Sequence, residues 1–177
     1  MMEHEIRLVP LDEAFANDFL ERLRAIFNAH DLDAFVGLMA EDVVFEHRWA
    51  GTMRRLAEIR AFYERFWKAF PDLRVDPENG PFFHPHAPRI TIIWLGTGTH
   101  TGPLDPPGLP PTGMRIQGHV WEMLEFRDGL LSRIGHPHRD PLNVRLWPDS
   151  EVPSGGPAGP LTKVDLPRRR SERHVSF

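Results

Sequence analysis

The hydrophobic period of this chain changes once, at Pro71, and that change restricts the fold more than any other feature. Ahead of it apolar residues recur every three or four positions, as on a helix burying one stripe. Beyond it they alternate, as on a strand burying one face. Phe15, Phe19, Leu23 and Ile26 predict a helix over 12–29, with Asp12 as its N-cap. A short second helix is read over 32–39, preceded by Asp31. Leu56, Ile59, Tyr63, Phe66 and Phe70 mark a third over about 53–69, and Pro71 stops it because proline has no N–H to continue the ladder. Residues 43–47, β-branched and aromatic, interrupt the helices as a strand. Further strands are expected at 73–76, 89–100, 114–126 and 130–138, the last two joined by Asp128-Gly129, a strong hairpin signal. Three helices followed by a run of antiparallel strands predict an α+β domain with helices on one face of a bent sheet. That order, and the lack of a Gly-rich phosphate loop, exclude a doubly wound nucleotide-binding fold.

Composition narrows the chemistry. The chain has no cysteine, which excludes a disulfide scaffold, a thiolate zinc site and a cysteine nucleophile together. A net charge of -4 gives no general attraction to phosphate backbones or anionic lipid, so neither nucleic acid nor membrane is an expected partner. The N-terminal residues lack a basic start followed by an apolar core, and no run of ~18 apolar residues occurs. A cytoplasmic location is the expectation. Many of the 18 prolines lie in 103–111 and 148–167. One domain is expected over 1–148, followed by a Pro/Gly/Arg-rich tail over 149–177 whose cluster Arg168-Arg169-Arg170 reads as a solvated face.

Four strings look familiar: FNAHDLDAFVGLMAEDVVFE at 27–46, FWKAFPDLRV at 66–75, WLGTGTHTG at 94–102 and LPPTGMRI at 109–116. In that order they resemble SnoaL-like polyketide cyclases, within the nuclear transport factor 2-like superfamily, over about 15–147. The resemblance implies a cone-shaped barrel of a strongly bent antiparallel sheet packed on three N-terminal helices, open at one end and commonly a homodimer through the outer face of the sheet. It also implies acid/base chemistry without a cofactor, by a histidine and an aspartate on the two strands flanking the Asp-Gly hairpin. Counted from Asp128, those positions fall on Glu122 and His136, neither of which has the family's residue type.

The residues support that pairing on their own terms. With a two-residue repeat, Val120, Glu122, Leu124 and Phe126 share a face, as do Leu130, Ser132, Ile134, His136 and His138. A glutamate between apolar neighbours is costly to bury as an ion without a partner, and a histidine across the hairpin supplies one. An acid/base dyad and a structural ion pair both fit this placement. Period-2 alternation turns either Glu46 or His47 inward, and His47 is favoured. Phe45, Trp49, Trp67, Trp94, Trp121 and Phe126 provide aromatic surface for a pocket or for a core, with Trp121 and Met123 expected on the outer face. His100, ending a long strand within GTHTG, is either a pocket-rim contact or a hydrogen-bonded strand end. The strings His84-Pro85-His86 and His136-Pro137-His138 have metal-ligand spacing, with Glu46, His100 or Glu122 as a third ligand, but no metal is expected.

The expected function is therefore a cofactor-independent cyclase, isomerase, dehydratase or hydrolase acting on a small, apolar carbonyl or cyclic, polyketide-like compound. His136 and Glu122 carry the chemistry; His47, Trp49, His100, Phe45, Phe126 and His138 contact the substrate. A non-catalytic ligand-binding or protein-interaction module of the same fold is the alternative. A cavity of at least ~300 Å³ reaching Glu122 and His136 separates the two, since ligand pockets start near that size.

Overall fold

The computed structural model describes residues 11–47, 50–135 and the backbone of 144–147. Three helices, α1 (Glu13–Asn28), α2 (Leu32–Gly37) and α3 (Leu56–Ala69), pack on one face of a bent sheet. Asp12 caps α1 by accepting from the Phe15 amide at 2.9 Å, and Asp31 caps α2 by accepting from Ala34 at 3.0 Å. The buried stripe of α1 is Ala16, Phe19, Leu20 and Leu23; that of α3 includes Ile59, Phe62, Tyr63 and Phe66. Both stripes follow the 3.6-residue period that defines them in the sequence.

The strands are β1 (Met39–His47), β2 (Gly51–Met53), β3 (Arg74–Phe83), β4 (Arg89–Thr99), β5 (Arg115–Arg127), β6 (Leu130–Gly135) and β7 (Val144–Trp147). Their order is β2-β1-β6-β5-β4-β3, with β7 also paired to β5. The α+β cone is as the sequence implies, with two differences. The sheet is mixed rather than wholly antiparallel, because β1 runs parallel to β6. It is also open, with β2 and β3 at its edges.

β3 was expected to end at Asp76 but runs to Phe83 through Pro77 and Pro81. An edge strand tolerates proline because one row of its amides needs no partner, and its exposure removes the alternation that reveals a strand. β2 and β7, of three and four residues, carry too little pattern to be read.

Two glycine-dependent features hold the frame. Asp128 and Gly129 have φ of 53° and 79°, the positive pair that a two-residue hairpin turn needs. In GTHTG, a Cβ on Gly102 would lie 2.3 Å from the Lys68 carbonyl, so only glycine lets this loop close on the end of α3. There Thr101 and Gly102 donate to the Ala69 carbonyl. The other end of α1 is tied to β3 by Asn28, whose amide both donates to and accepts from the Val75 backbone at 2.9 and 2.8 Å.

Candidate active site

Between the helices and the concave face of the sheet lies a cavity of about 130 Å³. Its wall follows from strand alternation. β4 turns Trp94 and Gly96 inward, and β5 turns Gly118, Val120, Glu122 and Leu124 inward in an unbroken antiparallel register that sets Gly96 opposite Gly118 and Ile92 opposite Glu122. Phe45 and His47 contribute from β1, and Tyr63 and Phe66 from α3. Glu46, between the two inward β1 residues, faces the other way and accepts from Arg133 Nη2 at 2.8 Å.

Among the described residues Glu122 is the one carboxyl group in this apolar wall. The Trp94 indole N–H donates to its Oε2 at 2.9 Å. Burial pushes the Glu122 pKa up from the ordinary 4.5 to about 7, the Trp94 hydrogen bond opposing the rise in part. Tyr63, the chain's single tyrosine, is 5% exposed. Burial, and then the nearby Glu122 charge, raise its hydroxyl well above the usual range, so it stays a neutral donor. The His47 ring packs 4.4 Å from Phe62 and 6.0 Å from Phe66, fixed among α3 aromatics.

Of the residues singled out in the sequence, Glu122, His47 and Phe45 meet in this cavity. Two others do not. Phe126 packs edge-on against Phe15 and Phe19 at 5.5 and 4.9 Å, in the seam between α1 and the sheet, and is core rather than pocket wall. His100 is 3% exposed outside the cavity, with Nδ1 3.1 Å from the Thr112 hydroxyl and its ring stacked on Phe70. Desolvation lowers its pKa, partly offset by the Gly102 backbone. This histidine joins the 101–113 loop to the sheet. Trp49, His136 and His138 lie outside the described residues.

The inward set on β6 also differs from simple alternation. Phe126 pairs with Leu131 and Glu125 with Arg133, leaving Ser132 as the extra residue of a bulge, its hydroxyl donating to the Glu125 carbonyl at 3.2 Å. Leu131 and Ile134 therefore line the cavity, and Leu130 is exposed. The ladder is described as far as Met123 opposite Gly135. β7 then resumes on the same edge of β5, Val144 opposite Gly118. Glu122 thus lies between the β5 residues paired to β6 and those paired to β7. His84 and His86 are exposed, and among the described residues no three His, Asp or Glu side chains are grouped to hold a metal ion.

Trp94 and Tyr63 are the functional residues that sequence reasoning placed only as aromatic wall and helix stripe. Trp94 lies diagonally across the strand pair from Glu122, a neighbour relation that appears only once the register is known.

The pattern of the SnoaL-like domain family matches residues 20–134, which takes in the second half of α1, the whole of α2 and α3 and the walls of this cavity. The chain belongs to the SnoaL-like domain family. Solved structures agree on the fold. A provisionally assigned SnoaL-like polyketide cyclase from Jannaschia sp. CCS1 superposes with a TM-score of 0.61 at 16% identity, over 77% of this chain and 90% of that one. A provisionally assigned polyketide cyclase from Pseudomonas putida KT2440 gives 0.60 at 21% identity, over 70% and 90%. AclR from Streptomyces galilaeus, provisionally assigned as a hydroxylase, gives 0.58 at 25% identity, over 70% and 78%. No curated protein sequence matches the chain. Within this SnoaL-like frame, no helix among the described residues is long and apolar enough to cross a membrane.

Proposed function

We propose that this SnoaL-like protein is a cofactor-independent acid/base enzyme acting on a small, largely apolar carbonyl or cyclic compound, with Glu122 as the proton-transfer group. The supporting observation is a carboxyl group inside an apolar cavity, its pKa raised to about 7 by burial and one oxygen fixed by Trp94. Near neutral pH such a group is present in both forms, as proton removal followed by proton return requires. In the simplest step, ionised Glu122 takes a proton from the carbon next to a carbonyl. The C–H electron pair becomes the C=C bond of the enolate, and charge moves to the carbonyl oxygen. Tyr63, held protonated, is the donor available to that oxygen. Returning the proton elsewhere isomerises the substrate, and attack of the enolate carbon on a second carbonyl closes a ring.

His136 is proposed as the partner acid/base on the sequence alone, whose two-residue repeat puts it on the strand returning from the Asp128-Gly129 turn, across the hairpin from Glu122. The test is a screen of ketones, enol lactones and epoxides for turnover, followed by variants. Glu122→Gln and His136→Ala should each lower turnover by roughly 10²–10⁴-fold. The double variant should be little worse than the poorer single one, since groups acting together are not additive. Wild-type turnover by Glu122→Gln would refute the assignment.

One observation favours a second reading, a non-catalytic small-ligand-binding module. The cavity, at about 130 Å³, is smaller than the ~300 Å³ at which ligand pockets ordinarily begin. Compounds that bind to the wild-type cavity yet emerge unchanged at every pH from 5 to 9 would establish it.

A further inference from the structure

The inner face of the β4–β5 ladder has a gap in its side chains. Gly96 and Gly118 stand directly opposite one another within strands of eleven and thirteen residues, neither at a strand end, and both line the cavity. Glycine weakens a strand interior, and two facing glycines remove a cross-strand contact that would stabilise the pair. A Cβ on Gly96 would meet nothing closer than the Gly118 carbonyl oxygen, at 3.6 Å, so backbone crowding does not require glycine there. What the missing side chains provide is space. Trp94 and Val120 separate this gap from Glu122 along the same face.

The cavity's size and chemistry then limit its occupant. A dry apolar cavity of ~150 Å³ accommodates one benzene ring, and this one is about 130 Å³. Among the described residues no lysine or arginine lines it, so an anionic ligand finds no cationic side chain of either type. Polar side-chain atoms on the wall belong to His47, Tyr63, Glu122 and Trp94, and the Trp94 N–H is already given to Glu122. We infer that the cavity selects an uncharged, single-ring compound carrying one hydrogen-bonding oxygen, and that the Gly96–Gly118 pair is what leaves room for the ring. This rests on the same cavity as the proposed function and narrows its substrate class.

Binding of p-cresol and cyclohex-2-enone, with 2-naphthol, 1-hydroxyanthraquinone and benzoate as comparators, is measured by calorimetry or ligand-observed NMR on the full chain. p-Cresol or cyclohexenone should bind at least ten times more tightly than the two- and three-ring compounds and benzoate. Gly96→Val adds three carbons, which at ~30 Å³ each, the share of a water molecule, would take up more than half the cavity. It should weaken p-cresol binding at least tenfold with a cooperative melt retained. Gly96→Ala, the milder change, should give an intermediate loss and serves if the valine variant does not fold. The inference is overturned if no single-ring probe binds, if naphthol or hydroxyanthraquinone binds as well as p-cresol, or if both glycine variants bind p-cresol like the wild type. These outcomes are separable from the acid/base reading. Unchanged turnover in Glu122→Gln leaves the size selection standing, whereas loss of turnover on a multi-ring substrate supports Glu122 and defeats the size selection.

Discussion

Replacing Glu122 by glutamine removes one ionisation from the interior while keeping the side chain's shape and an acceptor oxygen for Trp94. Its effect on stability follows from the displacement of the pKa from 4.5 to about 7. Below pH 4.5 the carboxyl is protonated in the folded and unfolded chain alike, and burial carries no ionic penalty. Between pH 4.5 and about 7 the unfolded chain releases the proton while the folded protein keeps it. Stability therefore falls as pH rises, because the folded state binds more protons. Above about pH 7 the folded protein holds a partly buried carboxylate and the loss levels off. At ~1.4 kcal/mol for each pH unit, the full loss is about 3 kcal/mol. Urea unfolding of wild type and Glu122→Gln at intervals from pH 4 to 8 measures it, since every other titrating group is common to both and cancels in the difference. The variant should gain about 3 kcal/mol on the wild type between the ends of that range. In thermal melts, at ~2–4 °C per kcal/mol for a chain of this size, the gain is readily resolved. Parallel curves across the range would show that Glu122 is solvated like a surface carboxyl, and the acid/base reading would lose its support.

Three further outcomes follow from the same geometry. Trp94→Phe deletes the N–H that favours ionised Glu122, so the midpoint of the pH-dependent stability change should move above about pH 7 while the aromatic wall is kept. Thr112→Val removes the partner of His100 Nδ1 in a histidine whose buried Nε2 has no hydrogen-bond partner among the described residues, and should cost about 1 kcal/mol in denaturant unfolding. The outer face of the sheet carries Trp121, 39% exposed, directly opposite Ile93 on β4, and light scattering should give a homodimer of twice 20.4 kDa; a clean monomer mass would refute it.

Periodicity made the helices legible, because α1 and α3 each bury one continuous stripe and α1 and α2 begin at aspartate caps. It also gave β5 and the Asp128-Gly129 hairpin, since β5 alternates between a buried and a more exposed face, while β4, with no exposed residue, was legible from its β-branched and aromatic run. What it could not give was any feature decided by a partner strand. The bulge at Ser132 exchanges Leu130 for Leu131 on the inner face, and no local pattern in 130–135 distinguishes the two outcomes. The placement of Glu122 was legible because a lone acid among apolar alternate residues is anomalous by itself. Phe126, four residues further along the strand on the same face, looked equivalent to the pocket wall but lies under α1, since alternation gives the face and not the depth along it. His100 was ambiguous for a different reason. Its partners, Phe70 and Thr112, come from other segments: the close approach of Gly102 to Lys68 sets the strand end beside Phe70, and the Thr112 and Gly113 amides donating to the His100 carbonyl bring Thr112 alongside.

The concave wall departs from the rules that the rest of the sheet obeys, and the departures converge on one cavity. Elsewhere on the inner face the strands bury Ile90, Ile92 and Phe126, all nearly inaccessible, as a stable core requires. Around the cavity the same strands place an acid where a leucine would avoid a charge penalty, and two facing glycines where valines would strengthen the ladder. Glu122 and the glycine pair are independent departures: one costs stability through ionisation, the other through lost packing. A sequence consistent at every level would contain neither, and natural chains depart from that consistency chiefly at functional sites. The two departures are also complementary in chemistry. Empty space without the acid would hold any small apolar molecule, and the acid without space would be a structural liability beside Trp94. Together they describe a place where an oxygen-bearing ring can sit against a carboxyl group able to exchange a proton near neutral pH.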